Sequence, residues 1–473
     1  MRIEIPEGAQ RIIETLHRSG HRAYVVGGCV RDSLLLRVPD DWDICTSARP
    51  EEVMTLFAGN AVPTGIKHGT VTVIVSDTSG TETYEVTTFR IDGEYKDNRR
   101  PEEVVFVRDV SEDLARRDFT VNAMAYDHEE GLIDLFGGRS DLEKGIIRCV
   151  GEPDRRFEED ALRILRGIRF ASQLGFDIEN GTAVSLVRNT PLLDNIAAER
   201  IRVEFDKLLS GRHAARVLEQ YRDVIARFIP EIRPMFGLDQ ENPFHLYDVW
   251  MHTLHAVDAI RTEASKPYEA GSAEAAFPLL IAAFFHDIGK PPCKTVENGW
   301  GHFYGHEKTG AEMTNNIMHR LKYDNETRKT VIKLIEKHGI VFDPAGKQAR
   351  RLLYRMGEDD LRRLIALERA DVSAQHPDYV RERLANIAAF EERVDELIAE
   401  KQVFSMKDMA VNGKDLIEMG VPQGKEIGRI KNELMRMIVD GELENERDIL
   451  IGQIKKILKQ DKKRNNNERN KNI

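Results

Sequence analysis

The chain has 473 residues, of which 41% are apolar and 32% charged, and its formal net charge is −11. That length holds several cores of ~100–200 residues each, and no run of ~18 apolar residues marks a membrane span. The acidic total excludes a uniform basic coat, but not nucleic-acid binding through local patches.

The N-terminus, MRIEIPEGAQRIIETLHRSG, lacks the basic, apolar and small-residue succession of a secretory signal. It reads as an amphipathic helix ending at Gly20. The four cysteines, Cys29, Cys45, Cys149 and Cys293, form no CxxC pair, as expected of reduced thiols in a cytoplasmic protein. Residues 1–150 then mix turns with short β-rich runs: AYVVGG (23–28), TVTVIV (70–75) and TYEVTTF (83–89).

YVVGGCVRDSLL reads strand, tight turn, helix. Gly27 and Gly28 carry no Cβ, so backbone there can approach a phosphate closely. The helix start adds free N–H groups and a positive dipole end. Arg31, one turn on, reaches toward the same phosphates, and Asp32 would orient it. In PDDWDIC, Asp41 and Asp43 stand two apart, which on a strand places both carboxylates on one face. Such a pair repels unless a cation lies between, and hard oxygen ligands favour Mg²⁺. Together these features indicate metal-assisted transfer of a nucleotide. Glu85 is a candidate third carboxylate.

From about residue 151 the period changes to that of helices, as in ALRILRGIRFASQL and AARVLEQYRDVIARFI. Basic residues cluster around 157–170: Arg155, Arg156, Arg163, Arg166 and Arg169. A small-residue loop, EASKPYEAGSAEAA (263–276), joins two later helices. The end, QDKKRNNNERNKNI, has no apolar stripe and reads as disordered.

The succession GGCVRD, DDWD, PTGIKHGTVTV, TTFRIDGEYKDNRRP, RRDFTVNAMAY, DLFGG, EEDALRILRGIRF and ERIRVEFDKLL closely resembles the class II bacterial tRNA nucleotidyltransferases (CCA-adding enzymes), within the polymerase-beta-like superfamily. The resemblance runs through residues 24–209 and resumes at MAVNGKDLIEMGVPQGKEIGRIKNELMRMI. It implies a pocket that reads the incoming base with protein groups. Asp160 and Arg163, three apart on one helix, would present an acceptor and donors to C and to A. Arg166 and Arg169 continue the stripe toward triphosphate or the tRNA end. Arg117 would meet phosphate, and Asp118 and Asn122 would hold the ribose or brace the loop. TTFRIDGEYKDNRRP matches the family's flexible loop, which favours an enzyme able to add the terminal A. An A-adding enzyme and a poly(A) polymerase remain as alternatives. Gly413, Gly420, Gly424 and Gly428 in the last run would punctuate helix starts and let backbone amides meet tRNA phosphates.

A second constellation occupies residues 245–371: His252, His286-Asp287, His302, His306, His338 and Asp371. Its order resembles the HD-domain metal-dependent phosphohydrolases. Imidazoles with carboxylates suit Ni²⁺, Mn²⁺, Fe²⁺ or Zn²⁺, which would activate water toward a phosphate ester. Retention of His306 and His338 favours two metals, and Lys290 would hold the phosphate. A different-class alternative is an HD phosphohydrolase whose N-terminal part only binds tRNA.

The expected fold class is α+β. A mixed-sheet nucleotidyltransferase palm spans 1–150 and a helical neck with the base reader 151–240. An HD body at 241–380, a helical tRNA-binding tail at 381–460 and a disordered basic end at 461–473 complete an elongated, mainly helical chain. The expected partners are tRNA, ATP and CTP, with no membrane.

Overall fold

The computed structural model describes residues 2–77, 80–93, 104–260, 273–344, 347–400 and 406–471. The chain divides into two compact units: Met1–Arg233 with Asn316–Tyr323, and Pro234–Asn315 with Asp324–Ile473. The expected palm and nearly all of the expected neck fall in the first unit, and the HD constellation and tail in the second.

The first unit opens with helix α1 (Glu7–Arg18), which buries Ile12, Ile13 and Leu16 on one face. Strand β1 (Ala23–Val26) follows, then α2 (Gly28–Leu34), β2 (Ile44–Thr46), α3 (Pro50–Leu56), β3 (Ala61–Gly65), β4 (Thr70–Asp77) and β5 (Gly80–Thr88). A short ribbon, β6 (Arg90–Asp92) with β7 (Val104–Phe106), precedes α4 (Val110–Ala115), β8 (Met124–Asp127) and β9 (Gly131–Asp134). The sheet has the order β3-β4-β5-β2-β1-β8-β9, and β2–β5 is a parallel pair among antiparallel ones. All four β1 residues are buried, the mark of a strand covered on both faces. Tyr24, Val26, Cys45, Phe89, Val110, Leu114 and Ala125 form one core cluster of this sheet. The sequence patterns located β1, β4 and β5; β3, β8 and β9 were not apparent in them.

Helices α5 (Gly138–Lys144), α6 (Pro153–Glu159), α7 (Leu162–Leu174), α8 (Asn180–Asn189), α9 (Ala198–Leu209), α10 (Ala214–Gln220) and α11 (Arg222–Phe228) complete the unit. Phe157, Ile164, Ile168, Phe205 and Leu209 are fully buried. Segment Asn316–Tyr323 is tied to α9, where Tyr323 Oη–H donates to Asp206. Burial pushes the Asp206 pKa up to about 7, although Tyr323 and Arg202 favour its charged form. The folded pKa lies above the unfolded one, so this contribution is full below pH ~4 and lost as pH rises through about 7. We therefore expect Asp206→Asn to melt higher than the parent at pH 8, by ~1–2 kcal/mol, and to lose that advantage at pH 5. Parallel thermal melts check this, and equal differences at both pH values would contradict it.

In the second unit α12 (Val249–Ala259) is followed by α13 (Ala273–Phe285), whose Leu279–Phe285 stretch is wholly buried, as expected of a helix apolar on all sides. The expected loop at 263–276 falls mostly outside the described residues, and the backbone is already helical at Ala273. Next come α14 (Lys290–Cys293), α15 (His306–Arg320), α16 (Asn325–Lys337), α17 (Lys347–Met356), α18 (Glu358–Ser373) and α19 (Pro377–Ala399). The last part has its own core, with Leu416, Ile430, Leu434, Leu450 and Ile454 drawn from α20 (Gly413–Glu418), α21 (Lys425–Val439) and α22 (Arg447–Lys471).

Two expectations need correction here. Only Gly413 and Gly424 stand at helix starts; Gly420 has φ +86 just past α20, and Gly428 lies inside α21. The disorder expected over 461–473 is replaced by helix as far as Lys471. Once a packed turn is nucleated, each further Lys, Arg or Glu extends a helix at little cost, although the four Asn of 461–471 favour it less.

Candidate functional sites

The first site grows from the end of β1. Gly27 has φ +84, a conformation open to glycine, and an added Cβ would lie 2.8 Å from an Arg117 guanidinium nitrogen. Gly28 is the first residue of α2. Asp41 and Asp43 lie just ahead of β2 rather than within it, although the Asp43 carbonyl accepts from Val26 N–H (3.0 Å) and so extends the β1–β2 pairing. The expected strand thus begins only at Ile44, after both acids.

A cavity of about 620 Å³ gathers Gly27, Gly28, Arg31, Asp41, Asp43, Arg117, Asp118, Asn122, Asp160, Arg163, Arg166 and Arg169 on its wall. Apart from the candidate Glu85, these are the residues expected there from the sequence, brought from the turn after β1, α2, the loop before β2, the segment after α4, the α6–α7 junction and α7. Burial and the neighbouring Asp41 carboxylate push the Asp43 pKa up to about 6, with Arg117 opposing and Glu85 adding. Glu85 itself is exposed on β5, in register beside Asp43 because Ile44 pairs with Val86. It does not line the cavity.

The positive groups are held by carboxylates. Arg31 donates twice to Asp32 (2.9 and 2.7 Å) and once to Asn122 Oδ1 (2.7 Å). Asn122 Nδ2 in turn donates to Asp118 (3.2 Å), and Arg166 grips the other Asp118 oxygen (2.6 Å). Burial resists ionisation of Asp118, but Arg166, Arg163 and Asn122 together outweigh it and hold the pKa at about 2. Asp118 and Asn122 thus brace the arginines. Arg31, Arg166 and Arg169 also surround the Phe170 ring at 5.2, 5.3 and 4.2 Å. Arg169 pairs with buried Glu204 (3.1 Å).

The base-reader expectation is corrected in its geometry. Asp160 is not on one helix with Arg163: it ends α6 with extended dihedrals (φ −140, ψ 102), and α7 begins at Leu162. A short acidic side chain at such a break is better used as a cap, and Asp160 Oδ1 accepts from Leu162 N–H (3.1 Å). Its other oxygen pairs with Arg200 (2.9 Å). Arg163 pairs instead with Glu159 (2.7 Å) and donates to the carbonyls of Arg156 and Arg116. Both side chains still face the cavity. Sequence reading missed Arg116, Phe170, Arg200 and Lys207, which also line it. Arg200 and Lys207 stand seven apart on α9, a same-face spacing that was readable, but nothing in the sequence says which neighbour that face meets. Most of the segment TTFRIDGEYKDNRRP lies outside the described residues.

The second site is built around Asp287, next to the C-terminal end of α13. His252 on α12, His286, His306 at the start of α15, His338 at the end of α16 and Asp371 on α18 converge on it. One Asp287 oxygen lies 3.5 Å from His252 Nε2 and 3.2 Å from His286 Nε2. The other lies 3.6 Å from His306 Nε2 and 3.8 Å from His338 Nε2. Asp371 completes the first side, 2.8 Å from His252 Nε2. Two triads suited to a metal therefore share Asp287 as a bridge.

Proton positions follow from the partners. His252, His286, His306 and His338 each turn Nδ1 to a backbone carbonyl, of Ala374, Ala283, Phe303 and Ile335. A carbonyl only accepts, so each Nδ1 carries a proton and each Nε2 is the nitrogen turned inward, where His252 Nε2 donates to the Asp371 carboxylate (2.8 Å) in the metal-free chain. This is the orientation a metal-binding imidazole requires. His306 and His338 even set Nε2 against Nε2 at 3.1 Å. The donor set fits divalent transition metals. Lys290, expected to hold a phosphate, is instead committed to Asp287 (2.7 Å) and Gln240 (2.8 Å). A cavity of about 360 Å³ opens in front, lined among others by His302, Tyr304 and Arg383. Among the described residues no helix is long and apolar enough to cross a membrane.

Family models match three stretches of the chain: a poly A polymerase head domain over residues 23–148, a probable RNA- and SrmB-binding site of polymerase A over 175–235, and a putative tRNA nucleotidyltransferase domain 2 over 292–454. The CCA-adding enzyme of Leuconostoc mesenteroides is 33% identical over 93% of this chain and 94% of its own. That of Geobacillus thermodenitrificans is 35% identical, covering 92% and 93%. Among solved structures, the Bacillus stearothermophilus CCA-adding enzyme in complex with CTP superposes with a TM-score of 0.69 at 31% identity, covering 97% of this chain and 98% of that one.

Proposed function

This chain belongs to the family of CCA-adding enzymes, and on that premise we propose that it builds the CCA end of tRNA from CTP and ATP at the first cavity. The tRNA 3′-hydroxyl attacks the nucleotide α-phosphate, and pyrophosphate leaves. The observation that carries this reading is the meeting, in one cavity, of a close-approach glycine turn, paired carboxylates and a set of braced guanidiniums. Asp41 and Asp43 are the residues to hold Mg²⁺, and the raised Asp43 pKa fits two acids that need a cation between them. When bound, that cation activates the attacking hydroxyl and stabilises the leaving group.

The chain's own groups do the rest. The amides at Gly27–Gly28 and the Arg31, Arg117, Arg166 and Arg169 guanidiniums bind the triphosphate. Asp118 and Asn122 fix the orientation of Arg31 and Arg166. Asp160 and Arg163 offer an acceptor and donors to the base once they exchange Arg200 and Glu159 for it. The test is incubation with CTP, ATP and a tRNA ending at the discriminator base. Addition of three nucleotides in the order C, C, A supports the reading. A growing A tract, or no reaction unless CC is already present, overturns it in favour of a poly(A) polymerase or an A-adding enzyme. In the same assay Arg163→Ala should lower kcat/KM for CTP and ATP about 10²-fold and narrow the margin over UTP and GTP, since a bidentate base contact contributes about 1–3 kcal/mol.

We further infer a second, phosphohydrolase activity at the Asp287 centre, favoured by the four Nε2 atoms turned inward around two carboxylates. Arg383, at the cavity in front, is the cation placed to meet the phosphate. The surroundings we assign are a cytoplasmic tRNA pool, with palm over 1–150, neck 151–240, body 241–380 and tail 381–460.

A further inference from the structure

A third cavity, of about 750 Å³, lies in the first unit and plays no part in the chemistry above. It sits at the other end of the β1–β2 pair. Arg22 precedes β1 and Ser47 follows β2, whereas Gly27 and Asp43 close the opposite end, so the two sites stand roughly 17 Å apart along the strands.

Its wall carries three guanidiniums from three separate segments: Arg22 before β1, Arg49 before α3 and Arg108 after β7. All three are exposed, and among the described residues none of their side chains makes a hydrogen bond or salt bridge, although Arg22 lies near enough to Asp109 to favour its charged form. That distinguishes them from the arginines of the nucleotide cavity. The two acids on the wall are turned to the backbone: Glu52 accepts from Arg49 N–H (2.7 Å) and Asp109 from Ser111 N–H (3.0 Å). In a chain of net charge −11, three accessible guanidiniums, none of them in a salt bridge, line one hollow. The cavity is far larger than one phosphate, the cations are spread around it, and Phe106 adds an aromatic wall. Spaced arginines beside an aromatic ring suit a phosphodiester chain with unstacked bases.

We propose that this cavity is a second RNA-contact site, which grips the backbone of the RNA substrate away from the reacting 3′ end. The inference rests on the reading of the chain as a tRNA-acting enzyme. Each arginine neutralises a phosphate and displaces a counterion, so the site acts on affinity and its salt dependence, not on the chemical step.

The experiment compares the full chain with Arg22→Gln/Arg49→Gln/Arg108→Gln, measuring tRNA affinity from about 50 to 200 mM salt. The expected result is a log–log salt slope shallower by about 2, with affinity about tenfold weaker at physiological salt. Turnover at saturating tRNA and the KM for CTP stay unchanged. The triple Arg→Lys variant keeps the charges and should keep the parent slope, which separates charge from damage to the fold. An unchanged slope in the Gln variant overturns the proposal. So does a changed affinity for inorganic pyrophosphate with tRNA binding intact, which would make this a site for free polyphosphate. If the parent chain itself fails to bind tRNA, the failure is that of the CCA-adding reading.

Discussion

Asp43→Asn is expected to remove nucleotide addition by at least about 10³-fold while making the cation-free protein more stable. The two effects have one cause. Burial and Asp41 push the Asp43 pKa up to about 6, so at pH 7.5 the folded chain carries a charge its surroundings resist. The folded pKa is above the unfolded value; this stabilising contribution is full below pH ~4 and lost as pH rises through about 6. Replacing the carboxylate by an amide removes the penalty, on the order of 1–2 kcal/mol after allowance for solvent. Mg²⁺ should raise the melting temperature of the parent but not of Asp43→Asn. Retained activity in the variant, or an equal Mg²⁺ shift in both proteins, would place catalysis elsewhere, as the binding-module alternative requires.

Asp287→Ala should empty the second site of metal altogether, because one side chain serves both triads. Metal analysis of the purified protein should fall to background and hydrolysis of phosphate esters should vanish, while CCA addition stays within about twofold, since no residue of that site belongs to the nucleotide cavity. His306→Ala is the informative companion. It spares His252, His286, Asp287 and Asp371, and should leave one metal where the parent holds two. Unchanged metal content in Asp287→Ala would sink the dinuclear reading. Loss of metal without any parental hydrolase activity would leave a structural metal centre.

Much of the candidate chemistry was legible because its residues come in short, ordered runs. GGCVRD and DDWD each hold neighbouring side chains whose roles follow from backbone geometry alone. The HD order likewise named the six side chains that the fold brings together. The pairings were not legible. Arg163 faces Glu159, Arg166 faces Asp118 and Arg169 faces Glu204, and spacing on α7 gives no sign of the last two. The helix break at Asp160 was missed because an i, i+3 acid–base pair is also what a continuous helix would show.

The sequence by itself determined the kinds of groups available and their order. It specified a turn of two glycines without Cβ, two acids one strand-period apart, and imidazoles enough for two metals, because these depend on local sterics and on side-chain chemistry. Tertiary structure alone decided which nitrogen each imidazole turns inward, that Asp287 is shared by both triads, and that Lys290 is spent on it. It also decided that Arg200 restrains Asp160, and that Arg22, Arg49 and Arg108 meet around one hollow. Those facts depend on which backbone carbonyl or carboxylate a distant segment brings within about 3 Å, and distance in space is not a function of distance along the chain.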